Sequence, residues 1–107
     1  MSNKDFPGLG LRYLADYGEF AFHVDFSADG RTLRWADAKA VDFDAAATTE
    51  TYSATQIRPG VFWVTWKEAD GITVSHAEDF ENEKIYAAIT IPDQDFITVT
   101  GRWIKLN

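Results

Sequence analysis

Cysteine is absent from this chain, which removes disulfides and thiolate metal sites and leaves the redox compartment open. Histidine is almost as scarce. His23 and His76 are the two present, and nothing around them has the local spacing of a ligand pair, so a metal site with three convergent ligands is not expected. No apolar run approaches the roughly 20 residues that a membrane-crossing helix needs. Behind Lys4 there is no apolar segment of the kind a secretory signal carries, so a cytoplasmic, bacterial setting is the expectation. Positive charge is also short: 10 Lys and Arg stand against 17 Asp and Glu, a net charge of −7, and the cations are scattered. Such a surface repels a phosphate backbone and an anionic membrane alike, which argues against nucleic-acid or membrane partners and reads as a device for solubility. Gly8-Leu9-Gly10 neither follows a strand nor opens a helix, so it is no phosphate loop. Neither a nucleophile elbow nor a Ser-His-Asp order occurs. No cofactor is implied.

What the chain does contain is aromatic and β-branched side chains in alternation. Aromatics reach 15% of its 107 residues, a length that supports one core and one domain. The stretch from Arg58 to Asn82 organises the rest. Val61 to Lys67 and Ile72 to Asp79 are two β-rich runs flanking Glu68-Ala69-Asp70-Gly71, where Gly71 supplies the positive φ of a hairpin loop. Phe62, Val64 and Trp66 project to one side of the first run, Val61, Trp63 and Thr65 to the other.

Residues 1 to 8 read as a loose lead-in punctuated by Pro7-Gly8. Leu11 to Ala15 is a first strand, and Glu19 to Phe26 a second in which Phe20, Phe22, Val24 and Phe26 oppose Glu19, Ala21, His23 and Asp25. Thr32 to Ala36 is a third. Asp37 to Ala47 tolerates a helical turn through its alanines, but its aspartates suit a loop, and a loop is expected. Thr48 to Arg58, Lys84 to Ile91 and Phe96 to Ile104 complete the set, the last with Gly101 at a bulge. About eight short strands joined by tight turns make an antiparallel meander. With apolar faces on both sides, it is most economically closed into an up-and-down barrel, an all-β fold without exposed edges.

The run TYSATQIRPGVFWVTWKEADGITVSHAEDFENEKIYAAIT resembles the MoaF-related family of small lipocalin-like (calycin) proteins. The resemblance is carried by Tyr52, Pro59-Gly60, Val61, Phe62, Val64, Trp66, Glu68, Asp79-Phe80 and the apolar strand from Ile85 to Ile91. It covers roughly residues 11 to 102 and implies the barrel fold and, modestly, a homodimer; it implies no particular reaction. A more distant similarity links the same strand to bacterial phenolic acid decarboxylase, whose first-strand tyrosine and late-strand glutamate correspond to Tyr13 and Glu68. Ala15 stands in place of that family's second tyrosine, and no arginine occurs between Asp37 and Gln56, so the decarboxylation itself is not expected.

Glu68, ending an aromatic strand, points either into a barrel mouth, suited to proton transfer or ligand contact, or into solvent at an acidic turn. His23 and His76 either flank a ligand with Glu68 or are two separate, locally bonded histidines. Tyr13, Trp35, Tyr52, Trp66 and Tyr86 have the character of an interior wall, which serves a cavity for a planar apolar molecule and a filled barrel equally well. The leading expectation is therefore a barrel that binds a small apolar or aromatic molecule, with Glu68, Tyr13 and a histidine as polar contacts. A small lyase or isomerase using Glu68 with Tyr13 is the alternative. A third reading is an interaction protein working through an exposed Val61/Trp63 face, unless Phe6 or Leu9 covers that face.

Overall fold

The computed structural model describes residues 5–107; residues 1 to 4, half of the expected lead-in, lie outside the described residues. The alternation seen in the sequence becomes eight strands: β1 (Arg12–Asp16), β2 (Ala21–Phe26), β3 (Thr32–Asp37), β4 (Thr48–Arg58), β5 (Val61–Lys67), β6 (Thr73–Asp79), β7 (Lys84–Ile91) and β8 (Asp95–Lys105). Each pairs antiparallel with the next, and β8 returns to β1, closing the barrel in strict chain order. Closure gives every strand a neighbour on both sides, as expected of a meander with apolar side chains on both faces.

One departure lies between β3 and β4. Residues Phe43–Ala46 form a single helical turn, α1, where a loop was expected. Asp42 caps it, its side chain accepting from the backbone N–H of Ala45 at 3.3 Å, and the alanines that follow have no competing preference. The turn is anchored on the outer wall, where the Arg12 guanidinium lies 4.0 Å from the centroid of the Phe43 ring and Arg34 pairs with Asp44 at 3.0 Å.

Parity decides what fills the barrel. From β5, Phe62, Val64 and Trp66 enter the interior and are buried, as their alternation required. The half of the barrel holding the ends of β2, β6 and β8 is packed solid with rings. Tyr13 stacks on Trp103 with centroids 4.6 Å apart and planes 2° from parallel; Phe26 and Phe80 pack edge-on against Trp103, and Phe62 edge-on against Phe80.

Phe6 corrects the expectation of a loose lead-in. It is 3% exposed and sits edge-on to Phe26, Phe62 and Phe80, so the segment before β1 plugs this end. It therefore does not cover Trp63, which is 50% exposed on the outer wall with its indole N–H donating to Ser75 Oγ at 2.8 Å.

Gly101 also differs from expectation. The β7–β8 register runs through it without a shift, and the irregularity in the sheet falls between Gln56 and Arg58 instead. A Cβ on Gly101 would meet the backbone carbonyl of Asp16. It stands at the seam where β8 leaves β7 and takes up β1, and close backbone approach, not a bulge, is what requires glycine there.

Candidate functional site

The opposite half of the barrel is not filled. A cavity of about 250 Å³ opens there toward the β1–β2, β5–β6 and β7–β8 turns. The walls are apolar: Phe20, Phe22 and Val24 from β2 and the residues before it, Trp35 from β3, Val74 from β6, Ile89 and Ile91 from β7. Ala15 lies between Phe22 and Trp103 in the sheet, and a side chain that short cannot reach the axis, which is one reason the space exists.

Polar groups enter at two levels. At the mouth, Glu68 lines the cavity and accepts a hydrogen bond from the Trp66 indole N–H at 3.1 Å. Nearby Glu50, buried, accepts from the Trp35 indole N–H at 3.1 Å. Burial raises the Glu68 carboxyl above the ordinary carboxylate range; the Trp66 hydrogen bond opposes this, and the charges of Glu50 and Asp70 add to it. An acid whose folded pKa is raised contributes stability that is complete below its unfolded value, 4.5, and is lost as pH rises through the higher folded value. Glu68→Gln keeps an acceptor for Trp66 but carries no charge. Its melting temperature is therefore expected to gain on the wild type as pH is raised from about 4 to 7; parallel melting curves for the two proteins across that range would refute the assignment.

At depth, His76 lines the cavity and its Nδ1 lies 2.9 Å from Glu78 Oε2. Glu78 is 0% exposed, and its Oε1 has no hydrogen-bond partner among the described residues. Burial pushes the Glu78 carboxyl up, with the hydrogen bond and charge of His76 acting against it. Its charge is felt by Tyr13 and by Tyr17, whose hydroxyls are raised first by burial and then by Glu78.

Of the residues singled out by sequence, Trp35, Trp66, Glu68 and His76 meet around the cavity. The others do not. His23 faces the outer wall, its ring 6.3 Å from that of Phe43, so the two histidines do not converge. The inward row of β2 is Phe22, Val24 and Phe26, and His23 has the opposite parity. Tyr86 is 47% exposed, because on β7 it is Ile85 and Ala87 that are buried. Tyr13 and Tyr52 are interior but belong to the packed half, against Phe26. Tyr13 is thus separated from Glu68, and the acid/base pairing expected of those two has no geometric basis. Sequence reasoning passes over Glu78, although its spacing from His76 and Val74 places all three on one face; a charged side chain on a strand reads as solvent-facing until the barrel is closed. Among the described residues no group of three or more His, Asp or Glu is placed to hold a metal ion. No helix among them is long and apolar enough to cross a membrane.

A closed eight-stranded meander, plugged at one end and open into an apolar cavity at the other, defines a small up-and-down β-barrel with a single-ended pocket. The chain belongs to the MoaF-like family, whose sequence profile matches residues 9–104. Among solved structures it is similar to one described as "a putative beta-lactamase from Burkholderia vietnamiensis", with a TM-score of 0.85 and 23% identity over 94% of this chain and 97% of that one. At that identity the likeness shows the fold. No curated protein sequence matches the chain.

Proposed function

We propose that the open half of the barrel is a receptor for one small apolar or aromatic molecule. The observation that carries this reading is the contrast between the two halves of one interior. The same barrel that is packed with stacked rings around Trp103 leaves about 250 Å³ unfilled beside Trp35 and Trp66. Protein interiors are close-packed, and this open pocket instead leaves apolar walls facing water, which a ligand would cover. An engineered apolar cavity of roughly 150 Å³ accepts benzene, and this one accommodates a single substituted ring. Apolar walls supply affinity by burial, at about 25 cal/mol per Å², and the few polar groups at the mouth and floor supply orientation.

The experiment is a thermal-shift titration with single-ring hydrocarbons and their simple derivatives. Saturation at 100 times the dissociation constant should stabilise the protein by about 2.7 kcal/mol, read as a concentration-dependent rise in melting temperature. No shift with any ring at its solubility limit would overturn the proposal.

A further inference from the structure

We infer that the His76–Glu78 pair at the cavity floor is a hydroxyl-recognition site, so that the preferred ligand is a ring carrying one hydroxyl group, held with that group inward. This rests on the receptor reading above and names the ligand class within it. Three observations support it.

His76 lines the cavity and is itself 5% exposed, so any polar partner it meets there comes through the pocket. Its Nδ1 lies 2.9 Å from Glu78 Oε2, and we assign the proton of that bond to Nδ1, with Glu78 accepting. Nε2 is left as a hydrogen-bond acceptor, and the described residues supply it with no donor. Finally, the surrounding walls are Phe22, Val24, Val74 and Ile89, which cannot solvate an ion.

These conditions select among donors. An ammonium group would surrender its hydration to an apolar floor, a transfer that is strongly unfavourable. A carboxylate has no proton to offer Nε2. A hydroxyl is small, neutral and a donor, and it leaves the rest of the ring against the hydrocarbon walls. Glu78 acts through His76: it fixes the tautomer and the ring plane, as second-layer carboxylates do for histidines elsewhere, and is a positioning residue.

The test is calorimetric titration of the intact chain with three matched rings: 4-ethylphenol, 4-ethyltoluene, in which a methyl replaces the hydroxyl, and 4-ethylanisole, which can accept but not donate. The wild type should bind the phenol about tenfold more tightly than either other ring, the effect of one buried hydrogen bond. Removing His76 by itself would strand a buried carboxylate and endanger folding. The informative variant is therefore the double replacement His76→Phe with Glu78→Leu, since exchanging a buried polar pair for apolar side chains of similar volume is often neutral or stabilising. That variant should bind all three rings within about threefold of one another. Equal binding of phenol and toluene by the wild type, or a phenol preference that survives in the double variant, would overturn the hydroxyl site and leave the receptor intact. Failure of every ring to bind would overturn both.

Discussion

Gly101→Ala is expected to prevent the barrel from forming. A Cβ at this position would overlap the Asp16 carbonyl oxygen and come within 2.8 Å of the Asp16 carbonyl carbon and 3.0 Å of the Tyr17 Cα. All three are backbone atoms, so no side-chain rotation relieves the contact. The seam would have to open, and with it the pairing of Asp16 with Arg102 and of Ala15 with Trp103. A loss of more than about 4 kcal/mol follows, which consumes most of the stability of a small domain. The expected readout is an insoluble or unfolded product with no cooperative melt by circular dichroism. Gly18→Ala is the control. Gly18 has a φ of 94°, and a methyl group added there would find nothing within 4 Å, so it meets backbone strain alone, about 1–2 kcal/mol. Were Gly101→Ala to melt within about 2 kcal/mol of the wild type, the close approach of β8 to the end of β1 would be wrong.

Ile89→Trp is expected to abolish ligand binding while leaving the fold in place. Ile89 points inward from β7 opposite Val74 and Ile97, is only partly buried, and lines the cavity. An indole grown from that position enters open volume and not a packed core. It removes the space a ring would occupy and gains contacts with walls that are otherwise unpartnered. The melting temperature should be unchanged or higher, and calorimetric affinity for any single ring should fall more than about a hundredfold, a change of roughly 2.7 kcal/mol. A variant that folds and still binds rings at wild-type strength would place the binding site elsewhere.

Much of this architecture is legible in the sequence because strand parity is a rigid rule. The alternation of Phe22, Val24 and Phe26 defines the inner face of β2, with Phe20 just before it, and Phe62, Val64 and Trp66 do the same for β5. Turn chemistry is legible wherever glycine marks a positive φ, as at Gly30, Gly60 and Gly71. Parity fails as a guide where both faces of a strand look alike. On β7, Ile85, Ala87 and Ile89 alternate with Tyr86, Ala88 and Thr90, and the bulk of the tyrosine points to the wrong row. Phe6 escapes a sequence reading for a different reason: its role as a plug depends on contacts with Phe62 and Phe80, more than fifty positions away, and nothing in its own neighbourhood signals burial. Glu78 is the instructive omission in the site. Its place on the inward row is readable, but its pairing with His76 emerges only when the two are seen buried together.

Crystallography bears most squarely on the proposed receptor. A crystal exposed to 4-bromophenol should show bromine anomalous density inside the barrel, bounded by Trp35, Trp66, Val74 and Ile89. Anomalous density confined to the outer wall, or an interior closed over by rearranged side chains, would contradict a barrel that takes a ring into its open half.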